Sequence, residues 1–177
     1  PRFLEICTWT AMLSMVALGR GWDVWQPASL ETGFDLETRD GQNKCWAYLE
    51  EIQPDAVAFA FPCDPWSQMQ NVNQRTEEQR DQLQERRIRH RNITRFVRKV
   101  AKWQHERGAI FYTEQPATAL SLKLPEIRDV ADLGNTGITD MCMYQLRCPE
   151  TNAHLRKRTW LCSNSSGVMR KACTQCD

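Results

Sequence analysis

The sequence predicts an α/β domain built on an open, mostly parallel sheet with helices on both faces. Three observations predict it. Short apolar runs that read as strands alternate with segments of helical spacing along the chain. One run, "DAVAFAF" (Asp55–Phe61), is apolar almost throughout, as a strand covered on both faces must be. Several runs also stop at polar residues marked by proline, the punctuation of strands that end at a sheet rim.

The elements follow in order. "RFLEICT" (Arg2–Thr8) is a short apolar strand, and "AMLSMVALGRG" (Ala11–Gly21) has helical spacing with glycine at its end. "WDVWQP" is a second strand stopped by Pro27, whose ring removes a ladder donor. "KCWAYLEEI" (Lys44–Ile52) is a helix leading into the buried strand Asp55–Phe61. Thr76–Arg107 is helical, with Leu83, Ile88, Phe96, Val97, Val100 and Trp103 as its apolar positions. A single break is expected there, because an uninterrupted helix of that length is unusual in one domain. "AIFYTEQP" (Ala109–Pro116) is a strand, and "DMCMYQL" (Asp140–Leu146) with "RTWLCSN" (Arg158–Asn164) supplies a final pair. This divides the chain into an α/β domain over residues 1–164 and a cysteine-containing tail over residues 165–177.

Composition narrows the function classes. The 177 residues are 41% hydrophobic and 25% charged, a globular balance rather than a disordered one. No apolar run approaches the ~20 residues that cross a bilayer, and the start does not resemble a signal peptide. A soluble, intracellular protein without membrane insertion is therefore expected, its eight cysteines thiols or metal ligands rather than disulfides. Beginning at Pro1 and entering a strand at once, the chain reads as a piece or processed product of something longer. The net charge of +1 hides an asymmetry: Arg86–Arg107 holds nine Lys or Arg residues against one acid, Glu106. Such a block favours a polyanion, nucleic acid above all. Arg87, Arg91, Arg95 and Arg98 are its candidate phosphate contacts, since Ile88, Ile93, Phe96, Val97 and Val100 claim the sheet side. His90 and His105 are expected to be solvated on that helix. Cys7, Cys45 and Cys142 read as core, and Trp22, Trp25, Trp46 and Trp103 as packing between sheet and helices.

In open sheets of this kind ligands bind beyond the carboxyl ends of the strands. Those ends carry Cys7 and Thr8, then Cys63 and Asp64, then Glu114 and Gln115. A cysteine and a glutamate on neighbouring strand ends are a candidate nucleophile and acid pair. From about Phe3 to Asn164 the pieces resemble, in order, the catalytic half of a cytosine-5 DNA methyltransferase. "FLEICTWTAMLSMVALGRGW" is similar to that family's first strand, cofactor loop and helix, and "GFD" (Gly33–Asp35) to its adenine-contacting motif. "FPCDPWS" resembles the Pro-Cys loop, "TEQP" the Glu-Asn motif and "HLRKRTW" the Gln-x-Arg-x-Arg motif. Methyltransferase-like segments of retroelement polyproteins carry similar loops. The resemblance implies a Rossmann-like, doubly wound, class I methyltransferase-like fold and S-adenosylmethionine as cofactor. It places the nucleophile on Cys63, the group that serves cytosine N3 on Glu114, and base-holding or thiolate-supporting roles on Arg156 and Arg158. It places cofactor contacts on Glu5, Thr8, Thr10, Asp35 and Pro62.

The chain also departs from that pattern. Trp9 and Ala11 stand where the family's loop has glycines, which let backbone approach a ligand. Asp64 replaces a glutamine, Phe61 a proline and Gln115 an asparagine, while Gln26 and Pro27 occupy the place of a ribose-binding acid. These departures favour a degenerate, non-catalytic module that binds nucleic acid or serves a larger protein assembly. The alternative is an active S-adenosylmethionine-dependent cytosine-5 methyltransferase. The tail adds Cys173-x-x-Cys176, which with Cys148 and Cys162 makes a candidate zinc set, His154 lying in the same region.

Overall fold

The computed structural model describes residues 1–8, 10–72 and 76–176. Six strands form one sheet in the order β2-β1-β3-β4-β6-β5. These are β1 (Arg2–Ile6), β2 (Asp23–Val24), β3 (Ala56–Phe59), β4 (Ile110–Pro116), β5 (Asn135–Asp140) and β6 (Arg158–Ser163). The strands β2, β1, β3 and β4 run parallel, and β6 lies antiparallel between β4 and β5. The expected α/β, mostly parallel sheet is thus present, with β1, β3 and β4 side by side.

Helices cover both faces: α1 (Met12–Gly19), α2 (Arg39–Ile52), α3 (Gln68–Val72), α4 (Glu77–Glu106), α5 (Pro125–Asp132) and α6 (Ser166–Ala172). On one face Leu4, Ile6, Val57, Phe59, Phe111 and Cys162 pack against buried residues of α2, α4 and α5, forming the main core. On the other lie α1, whose Ser14 meets Glu5, and α6, whose Met169 meets Gly137 of β5. Strand alternation accounts for the division, since adjacent residues of one strand point to opposite faces.

Several local expectations are corrected. The Thr76–Arg107 stretch does not break: α4 runs 30 residues, about 45 Å at helical rise. It contains no glycine or proline, its Thr76–Gln79 capping box closes the first turn, and one stripe from Leu83 through Ile93, Val97, Val100 and Gln104 stays buried. Ile88 lies off that stripe and is exposed, whereas His90 lies on it and is buried. Met141–Tyr144 forms a 3₁₀ turn instead of a strand, and the partner of β6 is the preceding β5. The tail folds back as α6, with the Cys176 amide donating to Asp140 at 3.1 Å.

The basic block is engaged within the fold. Arg86 pairs with Asp64, and Arg87 donates to the Pro65 carbonyl at 2.9 Å. Arg91 and Arg95 both reach Glu126 of α5, at 2.9 and 3.4 Å, and Arg98 reaches Asp129 at 2.9 Å. Arg89 faces Glu37, Lys99 sits over the Trp46 ring, Lys102 faces Glu106, and Arg107 donates to Pro54 O. The nine cations that the sequence gathers on one segment each have an acid, a carbonyl or a ring within reach. Trp46 and Trp103 themselves meet edge to face between α2 and α4, at 5.5 Å between centroids.

Gly41 in the first turn of α2 is packed against the Asp35 backbone so closely that a Cβ would overlap the Asp35 carbonyl. Helix and cavity loop are therefore in backbone contact. Gly41→Ala should cost about 2 kcal/mol of stability by forcing them apart, measurable by urea unfolding.

Candidate functional site

Two cavities open at the carboxyl ends of β1, β3 and β4, and both are lined by Ala60 and Pro62. The larger, about 490 Å³, lies between the β1 and β3 ends, the segment after β2 and the middle of α4. Its lining includes Cys7 and Thr8, the apolar side chains Phe34, Leu36 and Ile93, the acids Glu31, Asp35 and Glu37, and His90. The smaller, about 170 Å³, is lined by Cys63, Glu114, Gln115, Lys157 and Thr159 among others.

Local chemistry explains how the walls are held. The first loop turns through Cys7 (φ 60°) and Ala11 (φ 50°), two left-handed residues without glycine. Thr8 Oγ1 accepts from the Ala11 amide at 2.9 Å, closing that turn. Trp9, which stands where the resembled family has a glycine, lies outside the described residues. The segment after β2 is pinned twice: Asp35 Oδ1 accepts from the Glu37 amide, and Asn92 of α4 donates to the Glu37 carbonyl. The Pro-Cys loop is fixed by Gln115, whose amide donates to Phe61 O at 2.8 Å and accepts from Ser121 at 3.1 Å. At the loop's far side Trp66 is buried against α4 and donates to His90 Nδ1 at 2.9 Å. Burial, aided by the Arg86 charge, pushes the His90 pKa down to about 4, so the ring is neutral at pH 7.

Cys63 and Glu114 therefore share one cavity, and Thr8, Asp35 and Pro62 line the other. Other expected contacts fall elsewhere. Glu5 is buried under α1, its Oε2 accepting from the Ser14 amide and hydroxyl at 2.9 and 2.8 Å. Thr10 is exposed and lines neither cavity. Arg156 and Arg158 turn to the buried carboxylate of Asp140, at 3.2 and 3.3 Å, and the cation that lines the Cys63 cavity is Lys157 between them. Arg87, Arg91, Arg95 and Arg98 keep partial exposure but are held by the partners named above. The four tail-region cysteines do not converge, and no three His, Cys, Asp or Glu side chains gather for a metal among the described residues. The Cys162 thiol is buried against Val130 O, and its pKa is pushed up to about 12. The Cys7 thiol is likewise pushed up by burial.

Sequence reasoning missed Gln115, Lys157 and His90 as site residues. Gln115 was placed at the rim and noted as a departure from a motif but given no role, yet its longer amide spans from β4 to the Phe61 carbonyl. Lys157 was hidden by its arginine neighbours, and His90 by a run of charges.

Two tests follow. Ala11 occupies a conformation that costs a non-glycine residue about 1 kcal/mol. Ala11→Gly should raise stability by about 0.5 kcal/mol, while Ala17→Gly inside α1 lowers it by about 1 kcal/mol, both read by thermal unfolding. The buried neutral His90 also makes stability pH-dependent. Its folded pKa lies below the unfolded value, so the unfolded chain takes up the proton first as pH falls. Stability should decline between about pH 6.5 and pH 4 by roughly 3 kcal/mol, and His90→Gln should remove that slope in urea titrations across the range.

A scan against family models, a search of curated proteins and a search of solved structures each returned no match to this chain.

Proposed function

We propose that this chain is an S-adenosylmethionine-dependent cytosine-5 methyltransferase module whose two cavities hold donor and acceptor. One observation carries the reading: a cavity large enough for a nucleoside adjoins a smaller one whose lining includes Cys63, Glu114 and Lys157. The fit of the donor to the larger cavity rests on its acids and apolar walls. Glu31, Asp35 and Glu37 suit a cationic sulfonium compound, and Phe34, Leu36 and Ile93 suit a flat ring. S-adenosylmethionine would be held there by Thr8, Asp35 and Pro62, and it supplies an electrophilic methyl group when bound.

The chain's own residues account for the rest. Cys63, as thiolate, adds to carbon 6 of a flipped cytosine, forming the C–S bond and pushing the ring electrons toward N3. Glu114 delivers a proton to N3, so that no negative charge builds on the ring. Carbon 5 is then an enamine carbon able to attack a methyl group. After transfer, loss of the carbon 5 proton to a base, expulsion of Cys63 as thiolate and return of the N3 proton to Glu114 restore the aromatic ring. Gln115 holds the loop on which Cys63 stands, and Lys157 supplies the positive charge that the resemblance assigns to arginine.

A second reading, a module within a larger assembly, is favoured by α1. Met12, Leu13, Met15, Val16 and Leu18 of that helix are 40–65% exposed, and Ser14 is its buried residue. Contiguous exposed apolar surface of this kind marks an interaction site.

The test is covalent trapping. A duplex carrying 5-fluorocytosine has no carbon 5 proton to lose, so the enzyme remains attached after methyl transfer. With S-adenosylmethionine present, denaturing electrophoresis should show a protein–DNA adduct whose modified peptide contains Cys63. Cys63→Ser should abolish it, and Glu114→Gln should slow it by about 10²- to 10⁴-fold. Heat from S-adenosylmethionine without an adduct would reduce the function to ligand binding. Neither heat nor adduct would leave the assembly reading.

A further inference from the structure

We propose that His90 is a ligand-binding residue of the larger cavity, its Nε2–H donating to a neutral ring acceptor of a phosphate-free nucleoside. This rests on the reading of that cavity as an adenosyl site and adds to it the contact and the ligand class.

The tautomer is set by chemistry. An indole N–H only donates, so at 2.9 Å from Trp66 Nε1 the Nδ1 of His90 must present its lone pair. The ring proton is therefore on Nε2, and the low pKa of this buried group keeps a second proton off. His90 is 3% exposed, and Nε2 is a buried donor with no partner among the described residues. A buried donor left unmet costs about 1–3 kcal/mol, so such a group calls for an acceptor. Trp66 covers the Nδ1 side of the ring and does not line the cavity, whereas His90 does. The ring edge away from Trp66 is the one that bears Nε2.

Charge selects the ligand. The lining carries Glu31, Asp35 and Glu37, with no lysine or arginine among its described residues. Phosphate or free carboxylate brought beside His90 would meet these three acids, while the adjoining cations are already engaged, Arg89 by Glu37 at 3.8 Å and Arg86 by Asp64. A neutral ring nitrogen would not, and Ile93, one helical turn from His90, lines the same cavity as an apolar wall. Adenosine-type compounds fit these conditions, and nucleotides do not.

Calorimetry with adenosine, S-adenosylhomocysteine and AMP tests the inference. Wild type should bind the first two, with AMP at least tenfold weaker. His90→Phe should lose roughly tenfold in affinity, and His90→Gln, which keeps an N–H donor, should recover part of it. Proton–nitrogen spectra of wild type supply a second readout that needs no variant. The Nε2–H resonance should move downfield when S-adenosylhomocysteine binds, with Nδ1 remaining unprotonated. Equal affinity of wild type and His90→Phe for S-adenosylhomocysteine, or binding without movement of that resonance, would overturn the role of His90 and leave the cavity reading standing. AMP binding as tightly as adenosine would overturn the ligand class. Absence of binding by any adenosyl compound to wild type would overturn both.

Discussion

Burial of one face of α4 across the sheet is the constraint on which the other parts depend. The stripe from Leu83 to Gln104 fills the core against β3 and β4, and it fixes where everything else on that helix points. Arg86 and Arg87 then meet the Pro-Cys loop, Asn92 meets the Glu37 carbonyl, and Arg91, Arg95 and Arg98 meet α5. Arg107 closes the far end on the Gln53 and Pro54 carbonyls. One apolar contact surface thus sets the register of both cavity walls. Individual exposed pairs of this sort contribute little to stability, but together they hold these loops in register with the helix.

The same helix changes what the charge pattern means. Read along the chain, the block from Arg86 to Arg107 is an unbalanced cation run. In space five of its nine cations, Arg86, Arg89, Arg91, Arg95 and Arg98, meet Asp64, Glu37, Glu126 and Asp129, drawn from three other segments. A linear window sees only neighbours in sequence, and salt bridges over 20 or more residues are invisible to it. Glu126 shows how far this goes: its carboxylate is nearly buried, takes two arginines on one oxygen, and is held below the usual carboxylate pKa by its own backbone amide and those arginines, against the opposing effect of burial.

The alternating strands and helices were legible because burial on both faces leaves continuous apolar runs, as in Ala56–Phe59. The convergence of Cys63 and Glu114 was legible for a related reason: parallel neighbours bring their carboxyl ends to one rim. What sequence hid were facts of side-chain direction. Whether His90 faces solvent or core depends on the rotation of an unbroken helix, and the expected break obscured that phase. Glu5 read as a ligand contact because the family resemblance placed one there, but it points under α1 and caps Ser14. Tail cysteines with metal-like spacing ended up divided between a buried strand, a turn and a helix end, since spacing alone says nothing of sheet face.

The approach to β6 alternates its side chains, with Arg156 and Arg158 on Asp140 and Lys157 and Thr159 at the cavity beside Cys63. Parity along an extended segment is thus what decides which cation the thiol cavity receives. Insertion or deletion of a single residue between Gln145 and Arg156 that slid this segment by one position would exchange the two sets. Two guanidinium groups would swing to the cavity, and the buried carboxylate of Asp140 would lose both of its arginine partners. Evolution of this site is therefore coupled to loop length as tightly as to residue identity, because the rim and the carboxylate that anchors the tail compete for opposite sides of one strand.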